Sequence, residues 1–319
     1  MRRSLVFCVV VLLTGSVVPT ASAQSIWDNG NRLWFGISNL RSDDLSRCAA
    51  GDRHNPGPAL RSCERVIAER YSSEKIAVAY FFRGKLYLTQ GDEPHANADF
   101  LEAYRFLSLT LWSQRNNSRA YGNRAAVLYW LHRYDEALAD YATALSAYQR
   151  PDSAAGTRVR SGVPDLPAGE LAHLHYSRGA VFFRMKDWAN SSDEFDLAAS
   201  MMPHEARYQS ARCVVRAARR IEPEVARTAC EEALRMSDGS SYALFSRGFL
   251  NFTEGRYDTA FSDFSAAIEK DPTDYLALFG RGVAALRLGH DQEGQADMTR
   301  ARAELDADEI SNYAEAGLR

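Results

Sequence analysis

One pattern recurs six times along the chain and narrows what it can fold into. The stretch Tyr242 to Pro272 (YALFSRGFLNFTEGRYDTAFSDFSAAIEKDP) matches the stretch Leu174 to Pro203 (LHYSRGAVFFRMKDWANSSDEFDLAASMMP) position by position. Both carry Arg-Gly, a small residue twelve positions after the glycine, an aromatic at sixteen, a small residue at nineteen and proline at twenty-four. With the small residue after the arginine as anchor, the pattern returns at Gly84, Ala125, Gly179, Cys213, Gly248 and Gly282, at intervals of 41, 54, 34, 35 and 34. A unit this short cannot bury an apolar face alone. Copies must stack, and the core is then spread along the array.

The small position at twelve reads Ala96, Ala137, Ser191, Ala226, Ala260 and Gly294, and the one at nineteen reads Ala103, Ala144, Ala198, Ala233, Ala267 and Ala301. Between them stands a bulky residue: Phe100, Tyr141, Phe195, Cys230, Phe264 and Met298. The fourth unit keeps register with one extra residue near Glu222-Pro223. Small residues let two antiparallel helices approach, and the bulky one fills the gap. In this the chain resembles the tetratricopeptide-repeat (TPR) family, exported bacterial type, over about residues 75–308. The resemblance implies an all-α fold: an α-solenoid of about six helix–turn–helix units, spanning 75–319. Turns are expected at Gln90-Gly91-Asp92, His132-Arg133, Lys186-Asp187, Gly255-Arg256 and Gly289-His290. The family's tryptophan at its fourth position is replaced throughout, by Tyr80, Tyr121, His175, Tyr208, Leu244 and Leu278. Gly294 should weaken the last unit's second helix.

The two long intervals locate insertions. Residues 149–169 (QRPDSAAGTRVRSGVPDLPAG) lack helical periodicity and read as a surface loop. A shorter excess near Leu107–Ser118 should extend a helix or its turn. Ahead of the units, residues 24–74 read as a helical hairpin that caps the array, and 308–318 (DEISNYAEAGL) as a final helix covering the exposed end.

Met1-Arg2-Arg3, the apolar run Leu5 to Leu13 and Ala21-Ser22-Ala23 follow the layout of a secretory signal, predicting removal of residues 1–23 and a periplasmic or secreted protein. The apolar run is too short for a membrane anchor, and no cysteine is placed for lipid attachment. No membrane insertion is expected after cleavage. Of five cysteines, Cys8 leaves with the signal. The other four, in an exported chain, favour disulfides. Their separations of 15 and 17 residues favour Cys48–Cys63 and Cys213–Cys230, one of three connectivities. There is no C-x-x-C and no histidine at ligand spacing near the cysteines, so no metal is expected.

Arginine precedes the anchor in every unit: Arg83, Arg124, Arg178, Arg212, Arg247 and Arg281. Sixteen residues later stand Asp99, Asp140, Glu194, Asp263 and Asp297, which predicts intra-unit ion pairs rather than an anion-binding track. Arg212 has no such acid, and the Cys213–Cys230 link is expected to stand in for its pair.

In the TPR family ligands lie in the concave groove lined by first helices. The resemblance places Phe81, Tyr129, Trp130, Tyr176, Phe183, Phe245, Phe249, Phe252 and Phe279 there as candidate partner-binding residues. The Lys/Asn set that clamps a C-terminal carboxylate in some members is not reproduced. An aromatic groove with occasional arginines suits an apolar peptide or partner helix. Alternatively the rings pack on neighbouring helices, or Gln24–Asn39 or the C-terminal helix fills the groove. Hydrophobic residues at 46% and charged at 25% exclude a disordered chain, and a net charge of −3 argues against a nucleic-acid partner. No G-x-S-x-G, H-E-x-x-H or P-loop occurs, so no catalytic residue and no cofactor are expected. The sequence thus reads as a non-catalytic scaffold for a protein or peptide. A regulatory or accessory subunit of a cell-envelope enzyme and a self-associating solenoid are the alternatives, with oligomeric state open.

Overall fold

The computed structural model describes residues 43–51, 55–69, 71–146, 168–305 and 307–319. The signal-like segment 1–23 lies outside these residues. So does the insertion at 149–169, except Ala168 and Gly169, which open a helix. Every regular element among the described residues is α-helical.

A short hairpin comes first: α1 (Asp43–Ala49) and α2 (Gly57–Ala68), the second entered through Pro56. Leu45, Cys48, Cys63 and Val66 are buried between them, and the Cα atoms of Cys48 and Cys63 lie 4.8 Å apart, at disulfide distance. Six helical pairs follow. They are α3 (Ser73–Leu88) with α4 (Glu93–Ser113), α5 (Ser118–Trp130) with α6 (Tyr134–Ser146), and α7 (Ala168–Arg184) with α8 (Trp188–Met201). Then come α9 (Ala206–Arg219) with α10 (Pro223–Met236), α11 (Ser241–Thr253) with α12 (Tyr257–Lys270), and α13 (Tyr275–Leu288) with α14 (Asp291–Arg302). A last helix, α15, spans Ala307–Glu315. Each helix packs on its pair partner, and each second helix packs on the next first helix, as an α-solenoid requires.

Local chemistry sets the boundaries. Ser72, Asp92, Asn117, Asp187, Ser240 and Asp274 each accept a hydrogen bond from the backbone N–H three residues on, capping six helix starts. Within five pairs the turn passes through one left-handed residue: Gly91, His132, Lys186, Gly255 or Gly289, with φ between 57° and 81°. These fall on the expected turn positions. In the fourth pair Arg220 and Glu222 both take positive φ, which absorbs the extra residue before Pro223. The shorter insertion lengthens α4 to 21 residues, against 12–14 for the other second helices. This extension buries Leu107 and Leu111 but leaves Trp112 79% exposed, with Leu101 and Leu109 also exposed.

The anchor works as the spacing implies. A Cβ on Gly248 would sit 2.9 Å from the ring of Phe264, and one on Gly179 2.8 Å from Phe195, so the missing side chain makes room for the ring of the facing helix. In the fourth unit anchor and bulky residue are Cys213 and Cys230, with Cα atoms 5.3 Å apart. That cysteine pair occupies the place of the glycine–aromatic contact.

Five arginines of the ladder meet their acids sixteen residues on. Arg83 donates to both oxygens of Asp99 at 2.7 Å, Arg124 to Asp140 at 2.7 and 2.8 Å, and Arg281 to Asp297 at 2.7 and 2.9 Å. Arg178 reaches Glu194 and Arg247 reaches Asp263, each at 2.5 Å. The expectation for Arg212 needs correcting. It donates to Asp196 at 2.9 Å, and Arg216 donates to the same carboxylate at 2.7 Å. Asp196 stands sixteen residues before Arg212, on the second helix of the preceding unit. A first helix touches two second helices, so an acid at either spacing can answer the arginine.

Gly294 also differs from its expected role. A Cβ there would lie 2.7 Å from the Gly282 carbonyl oxygen, and one on Gly282 2.9 Å from that of Gly294. Backbone meets backbone between α13 and α14, so the glycine permits the approach rather than merely weakening its helix. Gly294→Ala is expected to lower stability by about 1–3 kcal/mol through overpacking, against the gain of roughly 1 kcal/mol that helix propensity alone gives. The denaturant midpoint measures the sign directly.

Candidate functional site

The first helices α3, α5, α7, α9, α11 and α13 supply the inner, concave face, with α9 beside α11 and α11 beside α13. All nine aromatic residues expected in this groove are buried. Their partners divide them. Phe81 packs on Phe100 at 5.9 Å between ring centroids, Trp130 on Phe100 at 5.9 Å, and Tyr176 on Phe195 and Tyr208 at 5.6 and 5.2 Å. Tyr129 lies against Trp130 and Tyr134, and Phe252 against Tyr257. Phe279 is buried among the last units. Trp130 on Phe100 and Tyr176 on Tyr208 join neighbouring units, while the contacts of Phe81, Tyr129 and Phe252 lie inside their own helical pairs.

Phe183, Phe245 and Phe249 are brought together by a residue of the C-terminal helix, one of the alternative occupants that the sequence offers for the groove. The ring of Tyr313 lies 5.5, 5.4 and 5.7 Å from theirs, edge-on to the latter two. Tyr313 belongs to α15. That helix does not cover the end of the array: on α14 only Gly294 and Ala301 are buried. Instead it turns back against the concave face. Its buried residues are Glu309, Asn312 and Tyr313, and Ala316 directly after it continues the i, i+3, i+4, i+7 spacing of a segment seated in a groove.

Polar contacts fix its position. Asn312 Nδ2 donates to the Phe183 carbonyl at 3.1 Å, at the C-terminal end of α7. Lys186, the left-handed residue of the following turn, donates to Glu315 at 2.6 Å and to Ser311 at 3.3 Å. Arg287 of α13 donates to the Arg319 carbonyl. Leu318 is fully buried. Burial pushes the Tyr313 hydroxyl well above the usual phenol range, so the ring enters the face as a neutral group. A nearby cavity of about 20 Å³, lined by Tyr129, Phe183, Arg184, Val214 and Tyr242, has room for roughly one water. It could not hold a second peptide.

Tyr313, Asn312, Glu315 and Lys186 were therefore missed as site residues. The signal was present in DEISNYAEAGL, whose buried spacing is visible once a seat for it is known.

Elsewhere on the first helices charge is already matched. Arg119 of α5 donates to Glu170 of α7 at 2.9 and 2.6 Å, and His175 and Arg178 both reach Glu194. Burial works against the Glu194 anion, but those two hydrogen bonds outweigh it and hold its pKa below the usual value. Among the described residues no group of three His, Cys, Asp or Glu is placed to hold a metal ion, and no helix is long and apolar enough to cross a membrane.

Among solved structures, a chain of the APC/C hetero-tetramer Cut9–Hcn1 superposes on 90% of this chain and 51% of its own length, with a TM-score of 0.58 and 12% identity. That is a likeness of fold, and it coincides with the repeat pattern. The fold is that of a tetratricopeptide-repeat solenoid. Curated proteins similar to this chain include DnaJ homolog subfamily C member 7 of mouse, 27% identical over 230 residues, and its human counterpart at 26%. The match covers 62% of this chain and 45% of the relative, so the chain spans about half the length of the curated proteins it matches. No family model matches the chain.

Proposed function

We propose that the chain is an exported, non-catalytic TPR scaffold whose concave face holds a protein or peptide partner. One observation carries this reading: the face already holds a helix, with an aromatic side chain inserted among three buried phenylalanines and a lysine on an acid beside it. A surface that seats one amphipathic helix has the shape and chemistry to seat another. The exported setting is supported by the leader-like segment and by two cysteine pairs at disulfide distance.

The test places a photo-crosslinking amino acid at Arg287 or Lys186, at the edge of the concave face, and at Trp112 on α4 as control. The expected result is one partner protein cross-linked from both concave positions and not from Trp112. Cross-links from Trp112 alone, or from none of the three, would reject the reading. Self-association is the second reading, favoured by the exposure of Trp112 with Leu101 and Leu109 on α4. Light scattering of the wild type against Trp112→Ser separates it.

A further inference from the structure

The geometry points to segment 307–319 as an intramolecular ligand that keeps the concave face occupied. We propose that a partner enters by displacing it, using a helix of the same chemistry: a buried aromatic, an amide one position before it and an acid two positions after it. This rests on the reading that the concave face is the binding face.

Three observations separate a resident ligand from a structural cap. The segment leaves α14 uncovered, so it does not perform the task of an end cap. Its helix is nine residues long, well short of the length at which an isolated helix holds its shape in water, so its order derives from the face it lies on. And its grip is uneven. Tyr313 and Leu318 are buried, while the Lys186–Glu315 pair that borders them is exposed, with Glu315 at 55%. An exposed ion pair adds little holding strength but discriminates between sequences.

Recognition of the partner follows from the same atoms. The backbone carbonyl of Phe183, which already accepts the Lys186 N–H at 3.0 Å, takes a second N–H from an amide side chain. The Phe183, Phe245 and Phe249 rings favour an aromatic presented edge-on over an aliphatic residue. Lys186 selects an acid one helical step further on. Only residues 303–306 separate the segment from α14. So short a link gives it an effective concentration on the order of millimolar, which a partner must overcome. A weak intrinsic ligand would be excluded, and weakening the resident segment should admit it.

The experiment uses the full chain, oxidised, and a fluorescein-labelled peptide ELDADEISNYAEAGLR, which reproduces residues 304–319, followed by anisotropy. Chains carrying Tyr313→Ala should bind the peptide at least tenfold more tightly than the wild type. The same peptide with its own tyrosine replaced by alanine should lose binding to both. A peptide with Glu315→Lys should bind several-fold more weakly to the Tyr313→Ala chain, and a Tyr313→Ala chain that also carries Lys186→Glu should restore it. If Tyr313→Ala lowers the helical content of the chain, a chain with Glu315→Lys gives the same comparison with a smaller gain. Equal affinity for wild-type and tail-variant chains, binding blind to the peptide's tyrosine, or no binding to any chain would each overturn the proposal. A partner cross-linked equally well to wild-type and Tyr313→Ala chains would overturn the displacement while leaving the concave face as the binding face.

Discussion

Phe264→Ala is expected to destabilise the last two repeat pairs by about 3–5 kcal/mol, the range for removing a fully buried phenylalanine. Phe264 projects from α12 with no exposed surface. Its ring lies against Gly248 of its own unit, where a Cβ would stand 2.9 Å away, and against Gly280 of the next, where a Cβ would stand 2.7 Å away. Phe245 packs on the same ring at 5.7 Å. One side chain therefore joins α11, α12 and α13. The two glycines offer no side chain that could swing into the vacated space, so the cavity collapses poorly and the cost belongs at the upper end. In a stacked array the loss should stay regional. Hydrogen exchange is expected to quicken in α12 to α15 and stay near wild type in α3 to α6. Uniform loss of protection, or a change in denaturation midpoint equivalent to less than about 1 kcal/mol, would contradict this seating of the ring.

Cys213→Ser is the second large effect. The cysteines of the fourth unit are buried at the position where other units place a glycine under an aromatic ring. Serine and a free thiol cannot replace that packing. Closing a loop of 17 residues restrains the unfolded chain by about 3 kcal/mol, and the buried hydroxyl adds a cost where it lacks a partner. The oxidised variant should melt several degrees below the oxidised wild type, and the gap should narrow when both are reduced. An unchanged melting temperature in the oxidised proteins would reject the Cys213–Cys230 pair. Cys230→Ser should behave alike.

Much of this architecture was legible before any coordinates. The anchor glycines, the bulky residues sixteen positions on and the arginine–acid ladder all describe contacts inside one helical hairpin. A fixed number of residues along two antiparallel helices joined by a short turn corresponds to a fixed distance, so such contacts appear in the sequence as a spacing. Arg83 with Asp99 and Gly248 with Phe264 are read in this way. The turn positions follow too, because only one residue per turn must take the left-handed conformation.

Contacts between units were harder to read. Asp196 was missed as the partner of Arg212 because its acid lies before the arginine instead of after it, on a neighbouring hairpin. Gly294 was weighed by helix propensity alone, since nothing local reveals that another backbone presses against it. The aromatics of the first helices were read as lining a groove, but buried positions in a solenoid include the seams between units, where Trp130 meets Phe100 and Tyr176 meets Tyr208.

Sequence alone thus determined the repeating unit, its register, its insertions and the pairs that hold each hairpin together. Tertiary structure decided what occupies the concave face. The meeting of Tyr313 with Phe183, 130 residues away, depends on the curvature that the four stacked units from α7 to α14 accumulate from small rotations at each seam. No spacing within a unit encodes that sum.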